Sequence, residues 1–344
     1  MRTARIIKST LKGFSALSWL GTLYVLLLAF WLLVRVLFFD RFWPLALINT
    51  VAEYLFLPLP LLLIVCIWKQ RWFVLLGLVF PISILGVLFG ELFLPPFNSR
   101  NDTGRTITAM SFNVLHENQD YEAIVKAIRG ASPDIVGLQE LTPPHAAALA
   151  NVLQGEYPYH TLQPPERTEG VGLISRFPIE TNASFPLPPM NLSLHATLRI
   201  DSQRLHVFVV HLSPNNFFGY PASQFVALAK ERYARRAAEV TRLEQEIQDL
   251  DEPIILLCDC NLTDTSGAYA HLDTFLNDSF REAGWGLGHT LYIPSFPIPV
   301  QRLDYVWHSD ELVAIHAATG QDGGSDHLPV VAKLRYLYPS SQTP

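Results

Sequence analysis

The sequence predicts an α+β fold in which a four-layer α/β/β/α sandwich follows three transmembrane helices. The first observation is a division of charge, because residues 1–99 hold 8 basic and 3 acidic residues whereas residues 100–344 hold 17 and 28. The net charges are about +5 and −11, which indicates two regions in different solvents. The other observations are three long apolar runs in the first region and alternating strand and helix patterns in the second.

Each of the apolar runs is long enough to cross a bilayer as a helix, at about 20 residues per crossing. They cover about residues 14–39, 44–68 and 72–94. The second is the weakest, because four residues interrupt it: Asn49, Glu53, Pro58 and Pro60. The core of a soluble helical bundle is the alternative, but these runs offer almost no polar face. We therefore assign residues 1–97 to a membrane region and residues 98–105 to a polar linker.

Basic residues decide the predicted orientation. Residues 1–13 hold four of them and no acid, and the turn between the second and third runs holds Lys69 and Arg71. The positive-inside tendency places both segments in the cytoplasm, so three spans put the rest of the chain outside. We expect a multi-pass protein of the plasma membrane, the inner membrane of a bacterium, with its later domain on the periplasmic or extracellular side. Loss of the second span would reverse that sidedness.

Residues 106–337 form the predicted sandwich domain, and residues 338–344 form a C-terminal tail. Apolar, β-branched runs predict strands at residues 106–114, 134–138, 171–175, 194–200, 205–211, 254–257, 304–308 and 330–335. Helical periodicity predicts helices at residues 120–131, 142–153 and 221–250. Strands outnumber helices and no G-x-G-x-x-G follows a strand, so two packed sheets with outer helices are favoured over a Rossmann sheet.

Several polar side chains lie where a predicted apolar strand begins or ends. They are Asn113, Glu140, His211, Asp259, Asn261, Asp304, Asp326 and His327. Each one alone could open a turn or cap a helix, and a lone histidine at a strand end is more often structural. Together they favour a functional site, because carboxylates that are brought together repel one another without a cation.

Seven short motifs occur in one order across residues 106–335. They are Ser111-Phe112-Asn113, Gln139-Glu140, Gly172-Leu173-Ile174-Ser175-Arg176, His211-Leu212, Asp259-Cys260-Asn261, Arg302-Leu303-Asp304-Tyr305 and Gly324-Ser325-Asp326-His327-Leu328-Pro329. This ordered set resembles the endonuclease/exonuclease/phosphatase superfamily, to which DNase I, abasic-site endonucleases, neutral sphingomyelinases and inositol-phosphate 5-phosphatases belong. The resemblance implies a DNase I-like sandwich that hydrolyses a phosphoester. The membrane region is not part of it.

The resemblance implies that Glu140 is the chief metal ligand, with Asn113 close by and Asp326 completing or supporting the site. Oxygen ligands without a set of cysteines suit Mg²⁺ or Mn²⁺. The three cysteines cannot form a disulfide framework, and Cys258 and Cys260 point to one face of a strand. We expect these two to pack there, with no zinc or thiol role.

The resemblance also implies the catalytic roles. Asp259 would align and deprotonate the attacking water, and Asp304 would fix the ring of His327. His327 and His211 would then donate to phosphate oxygens as negative charge builds. Two further residues would contact the substrate: Asn261 and Arg176. For Arg176 the alternative is a solvated basic residue after a strand.

The net charge of the sandwich domain helps to distinguish between substrate classes. A domain near −11 lacks the basic surface that nucleic-acid binding favours. The basic residues of the helix at 221–250 alternate with acids, which is typical of a solvated helix with i,i+4 pairs. Apolar loops at residues 214–220 and 292–299 could reach lipid beside the site, or could pack inward.

We therefore expect a membrane-anchored, Mg²⁺- or Mn²⁺-dependent phosphoesterase that acts on a lipid or small phosphoester. Its predicted partners are the lipid bilayer and the phosphoester substrate, and no protein partner is predicted. A metal-dependent nuclease is the first alternative. A membrane scaffold whose catalytic site has decayed is the second, and the intact motif residues argue against it.

Overall fold

A computed structural model of the chain describes residues 16–94, 104–162, 164, 170–187, 191–214, 220–294 and 296–337. The chain divides into two compact units between Glu91 and Leu92. Several predictions lie outside the described residues. They concern the basic segment at residues 1–13, most of the linker, the loop at residues 215–219 and the tail at residues 338–344.

The described part of the apolar region forms four α-helices: α1 (Ala16–Phe38), α2 (Trp43–Thr50), α3 (Pro58–Trp68) and α4 (Trp72–Phe89). Short 3₁₀ helices cover Ala52–Phe56 and Gly90–Phe93. Among the described residues, two helices are long and apolar enough to cross a membrane, Ala16–Phe38 and Trp72–Phe93. The number of candidate spans is therefore two, or three if the bent segment between them counts as one.

That bent segment is where the prediction of a single helix at residues 44–68 was wrong. Trp43–Thr50 and Ala52–Trp68 meet at an angle of 70°. Pro58 follows the break and begins α3, a position where its missing N–H costs no helical hydrogen bond. Before the break, the Asn49 side chain accepts from Trp31 Nε1 at 3.0 Å and donates to Asp40 at 2.6 Å. These buried polar contacts fix the end of α2.

The second unit contains two six-stranded mixed sheets within its described residues. Sheet A has the order β11-β12-β1-β2-β4-β3 and sheet B the order β5-β6-β7-β8-β10-β9. The strands of sheet A are β1 (Thr106–Asn113), β2 (Ile135–Leu141), β3 (Tyr159–Leu162), β4 (Gly170–Ser175), β11 (Leu312–Thr319) and β12 (Val330–Tyr336). Those of sheet B are β5 (Ile179–Leu187), β6 (Asn191–Ile200), β7 (Gln203–His211), β8 (Ile254–Asp259), β9 (Asn277–Asp278) and β10 (Asp304–His308).

The two sheets pack face to face across β2 and β8. A Cβ added to Gly137 would lie 2.7 Å from Leu257 Cβ, so only glycine permits this close approach. Two residues along β2, Gln139 Nε2 donates to the Leu257 carbonyl oxygen at 3.2 Å. The glycine and the hydrogen bond fix how the end of sheet A faces the end of sheet B.

Helices cover the outer face of each sheet. On sheet A, α5 (Tyr121–Ala131) and α6 (Pro143–Leu153) contribute Ile128 and Leu149 to one buried apolar cluster. On sheet B, α7 (Phe225–Ile247) and α8 (Gly267–Leu272) contribute to the other, and the short helix α9 (Ser279–Ala283) precedes β10. The result is the predicted arrangement of two sheets between helices. The sequence analysis did not predict β3, β5, β9, β11, α8 or α9.

Candidate active site

Strand pairing brings the predicted site residues to one end of the two sheets. In sheet B, parallel β7 places His211 level with Asp259, and antiparallel β10 places Asp304 level with the same residue. In sheet A, parallel β1 and β2 place Asn113 level with Gln139, directly before Glu140. The ends of several strands therefore supply one cleft, an arrangement that holds side chains on a rigid base.

The Asn113 amide joins two carboxylates from different sheets. Its Nδ2 donates to Glu140 Oε1 at 3.0 Å and to Asp259 Oδ2 at 2.8 Å. Its Oδ1 accepts from the Leu115 backbone N–H at 2.9 Å. Asn113, which was predicted to lie beside the metal, therefore holds the two acids together by its nitrogen. Its side-chain oxygen accepts a hydrogen bond within the loop that follows β1.

An unusual backbone conformation directs Glu140. Its φ of +54° is uncommon for a residue other than glycine, and the register between β2 and β4 shifts between Leu138 and Leu141. Such a conformation costs about 1–3 kcal/mol and persists only where its surroundings impose it. The bulge takes Glu140 out of the regular alternation of β2 and lets its carboxylate meet Asn113.

His116 also contacts Glu140, although the sequence analysis did not single it out. Its backbone N–H and its ring Nδ1 lie 3.1 Å and 2.7 Å from Glu140 Oε2. The His116 side chain is 46% exposed and the Glu140 side chain 17%. Burial raises the pKa of Glu140, but the charge of His211 and the hydrogen bonds from Asn113 and His116 lower it to about 2. Glu140 is therefore an ionised carboxylate.

Asp304 and His327 form a buried ion pair. The Asp304 Oδ2 and His327 Nδ1 atoms are 2.7 Å apart, and the two side chains are 0% and 7% exposed. Burial lowers the pKa of His327, but Asp304 and then Asp259 raise it to about 10. The His327 backbone N–H donates to Ser325 Oγ at 3.1 Å, and that hydroxyl donates to the Asn113 carbonyl at 2.7 Å. The ring is therefore held as a charged donor.

Two groups of side chains in the described residues offer ligand atoms that all lie within 4.8 Å of one another. One contains Glu140, His211 and Asp259, and the other contains Asp259, Asp304 and His327. The first fits a hard divalent cation, because it presents two carboxylates. The second fits one less well, because the Asp304 carboxylate and the His327 ring already pair with each other.

Asp326 lies outside both groups, and the residue as a whole is exposed although its carboxyl is partly buried. Burial, opposed by His327, raises the pKa of its carboxyl, and the charges of Glu140 and Asp259 raise it further. The carboxylate is therefore close enough to the acids of the site to feel their charge. Asp326 therefore lies at the edge of the site and outside the inner group, and its predicted part in metal binding stays a prediction.

The profile of the Endonuclease/Exonuclease/phosphatase family matches residues 110–327. The matched range runs from the middle of β1 to His327 and includes every candidate site residue. This chain belongs to the endonuclease/exonuclease/phosphatase family. The family generally hydrolyses phosphoester bonds and is typically dependent on a divalent metal ion. A comparison with curated protein sequences gave no match.

Solved structures of family members share the fold of this chain. An endonuclease/exonuclease/phosphatase from Bacteroides vulgatus has a TM-score of 0.56 and 17% identity, over 68% of this chain and 100% of its own. A Beutenbergia cavernae protein of the same description has a TM-score of 0.55 and 22% identity, over 67% and 72%. D. rerio TDP2 complexed with single strand DNA product has a TM-score of 0.54 and 17% identity, over 67% and 99%. These likenesses show the common sandwich.

Asn261 completes the loop that follows Asp259. Its backbone has a φ of +49°, its N–H donates to Asp259 Oδ1 at 3.2 Å, and its Nδ2 donates to the Leu212 carbonyl at 3.0 Å. The amide therefore links the loop after β8 to the loop after β7. Asn261 therefore lies beside Asp259 at the base of the candidate site, and its predicted contact with the phosphate stays a prediction.

Two buried residues of α7 support these loops from outside the sheet. Arg236 Nη1 donates to the Asn261 carbonyl oxygen. Glu239 accepts from the Ser213 backbone N–H at 3.0 Å and from its hydroxyl at 2.6 Å. The prediction of a wholly solvated helix was wrong for Arg236 and Glu239. It was right for two i,i+4 pairs on the exposed face, Arg235–Glu231 and Arg242–Glu246.

Arg176 does not join the site. It follows β4, whose last residue Ser175 is level with Ile135 at the start of β2, whereas Glu140 is near the end of β2. There Arg176 pairs with Asp134 at 3.4 Å and donates to Ser132 Oγ at 2.8 Å. The antiparallel pairing of β4 with β2 thus carries Arg176 to the far end of sheet A. Arg176 is therefore separated from the other candidate site residues, and its contact with substrate stays a prediction.

Cys258 and Cys260 are joined by a disulfide in the structure, where the sequence analysis expected packing alone. Both are fully buried in the apolar cluster between sheet B and its helices. Because side chains alternate along a strand, Asp259 between them points to the opposite face. The prediction that the two cysteines share one face was right.

Proposed function

We propose that this protein is a membrane-anchored, divalent-metal-dependent phosphoesterase. The observation that carries the proposal is the juxtaposition of two carboxylates, Glu140 and Asp259, with the buried ion pair of Asp304 and His327. Hydrolysis of a phosphoester needs charge neutralised on the phosphate, a positioned water and protonation of the leaving oxygen. The described residues offer a group for each of the first two needs.

Glu140 and Asp259 would hold the metal ion, with His211 beside them and Asp326 at the edge of the site. A bound Mg²⁺ or Mn²⁺ supplies positive charge to the phosphate oxygens. Asn113 orients both carboxylates by its two hydrogen bonds, so the acids stay close together before any ion binds.

Asp259 is also the group that would take the proton of the attacking water, because it is central to both clusters. As the water oxygen bonds to phosphorus, the bond to the leaving oxygen breaks, and that oxygen takes up a proton from solvent water while Asp259 later returns its proton to solvent. His327, fixed by Asp304, and His211 would donate hydrogen bonds to the phosphate oxygens while their negative charge grows. Asn261 would support the phosphate from the base of the site.

The membrane part of the proposal comes from the apolar region. Two helices of the described residues have the length and composition of membrane spans, and the bent segment between them would be a third. With three spans and the N-terminus in the cytoplasm, the catalytic domain would be periplasmic or extracellular. Protease treatment of cells whose plasma membrane is intact, with any outer membrane first made permeable, would cleave it there. Cleavage only after lysis would contradict this sidedness.

A lipid or small phosphoester is the substrate class that we favour, because the domain is acidic. Nucleic acid is the second candidate, since one structure of similar fold was solved with a single strand DNA product. Parallel assays on phospholipid vesicles and on plasmid DNA separate the two. Salt-sensitive cleavage of DNA without lipid turnover would favour the nuclease.

Hydrolysis of bis-p-nitrophenyl phosphate with Mg²⁺ or Mn²⁺ tests the phosphoesterase itself. We expect metal-dependent turnover by the full chain that is lost in Glu140→Ala and His327→Ala. His160→Ala is a matched control, because His160 is exposed on β3 and outside both metal-binding groups. Absence of turnover with either metal would favour the decayed scaffold. Equal turnover in all variants would place the activity elsewhere.

A further inference from the structure

Residues 284–301, which form most of the connection from α9 to β10 and end directly before Arg302, differ from the rest of the domain. Apart from His289, they hold no titratable side chain of the Asp, Glu, Lys, Arg or His type, although residues 100–344 carry a net charge of about −11. We call them the rim segment. A run without acids in an acidic domain presents a surface that does not repel anions.

The rim segment exposes large apolar side chains. Trp285, Ile293, Phe296 and Ile298 are 72%, 38%, 49% and 59% exposed. Trp285 and Ile298 line an open groove of about 500 Å³ with other apolar residues such as Phe280, and two histidines, His289 and His316, also line it. Grouped apolar exposure of this kind marks a surface for a membrane, a ligand or another protein.

Hydrogen bonds tie the rim segment to the catalytic residues. The Tyr292 N–H donates to the Asp326 carbonyl at 2.8 Å, and the Leu328 N–H donates to the Thr290 carbonyl at 2.9 Å. Leu291 also forms a β-bridge with His327. The chain on both sides of His327 is therefore bonded to the rim segment. A substrate whose phosphate meets His327 would therefore lie next to the chain segment that carries these apolar side chains.

We infer that the rim segment contacts the acyl region of a phospholipid bilayer and admits a lipid phosphoester from it to the site. This inference rests on the proposed phosphoesterase and names its substrate class. Three features favour lipid as the occupant. The segment holds no Asp, Glu, Lys or Arg, and it combines aromatic and aliphatic side chains as interfacial segments do. The described part of the chain also has two helices that are long and apolar enough to cross a membrane.

The length of the linker permits such contact. The chain from residue 94 to residue 105 separates the last apolar helix from β1, and its fully extended length is about 40 Å. A domain anchored so closely can bring an apolar rim to the same bilayer without leaving its tether.

A fluorescent probe tests the contact without any need for catalysis. The full chain with Cys66→Ala and Ile298→Cys is labelled with a bimane and reconstituted in vesicles of phosphatidylcholine and phosphatidylglycerol. Val152→Cys in the same background is the control, because Val152 is 46% exposed on α6 in the same domain. We expect a blue shift at position 298, with quenching by lipids that carry a nitroxide on the acyl chain. Position 152 should show neither.

Two outcomes would overturn the inference. An unshifted spectrum at position 298 means that the rim segment stays in water. A blue shift without quenching by the labelled lipid means that protein, from a partner or a second copy, covers the segment instead. Both outcomes leave the proposed phosphoesterase untouched, because neither readout involves turnover.

A kinetic arm tests the link to substrate. In Phe296→Ser/Ile298→Ser, we expect the ratio of kcat/KM for the phospholipid to kcat/KM for bis-p-nitrophenyl phosphate to fall roughly tenfold, as for lost apolar contacts in a substrate pocket. An unchanged ratio would contradict the inference. If the full chain hydrolyses neither compound, the proposed phosphoesterase fails, and the probe still decides whether the rim segment meets lipid.

Discussion

Glu140 and Asp304 belong to two clusters that share Asp259, yet the two carboxylates have different surroundings. Glu140 is hydrogen-bonded to His116, whose side chain is 46% exposed. The Asp304 side chain, in contrast, is fully buried against His327. An ion that must enter and leave needs the first kind of surroundings, and a fixed charge pair needs the second. We therefore regard the Glu140 side as the metal-binding side and the Asp304 side as the side that orients a donor.

Asp304→Asn should show the largest effect on the orienting side. The amide keeps the shape of Asp304 but removes the charge that keeps His327 protonated and oriented, so we expect kcat to fall by about 10²–10⁴. Steady-state kinetics with bis-p-nitrophenyl phosphate measures it. The affinity of the variant for Mn²⁺ should stay near that of the unaltered protein. A parallel loss of Mn²⁺ affinity would contradict separate roles for the Glu140 side and the Asp304 side.

His116→Ala should affect the metal-binding side. His116 supplies two hydrogen bonds to Glu140 Oε2, of which the ring supplies one. Loss of a hydrogen-bond partner of a metal-binding carboxylate weakens metal affinity by about 10–100-fold. Isothermal titration with Mn²⁺ measures the change, with His160→Ala as the control. An unchanged affinity would show that the backbone N–H of residue 116 suffices.

Arg236→Met tests whether both sides depend on α7. The change leaves the buried Asn261 carbonyl without its guanidinium partner. We expect this loss to lower the free energy of unfolding by about 1–3 kcal/mol. Urea unfolding of the detergent-solubilised chain, followed by tryptophan fluorescence, measures the loss. Arg235→Met is the matched control on the exposed face and should change the free energy by less than about 0.5 kcal/mol. Equal losses in both variants would refute a special role for Arg236.

Arg176→Ala should have the smallest effect, because Arg176 lies at the far end of sheet A from both sides of the site. Its ion pair with Asp134 is partly exposed, so its loss costs at most about 1 kcal/mol. We expect kcat/KM to stay within about twofold. A tenfold loss would mean that substrate extends to the far end of the sheet.

Regular burial made most of the sandwich predictable. Strands such as β1, β2 and β8 are almost wholly buried, and long apolar runs in the sequence mark them. β5 has a run of exposed polar positions, and β11 is interrupted by a bulge between Ala314 and His316, so neither shows a strand pattern. For that reason these two edge strands, one in each sheet, were not predicted from the sequence.

The acids and histidines of the site were predictable because the ordered motifs carry them. His116 was not, because its contact with Glu140 depends on how the loop after β1 meets the bulge of β2. The roles of Arg236 and Glu239 were not predictable either, because the charge pattern along α7 does not show which charged side chains are buried against the sheet. The separation of Arg176 from the other site residues was not predictable either, because a motif gives sequence order and not the direction of a strand.

Paired measurements of Mn²⁺ binding and turnover test the division of the site most directly. Electron paramagnetic resonance titration counts bound Mn²⁺ in the full chain, in Glu140→Ala and in His327→Gln, and hydrolysis of bis-p-nitrophenyl phosphate is measured on the same samples. We predict that Glu140→Ala loses both binding and turnover, whereas His327→Gln keeps binding and loses turnover. Undiminished Mn²⁺ binding by Glu140→Ala, or loss of binding by His327→Gln, would contradict the account.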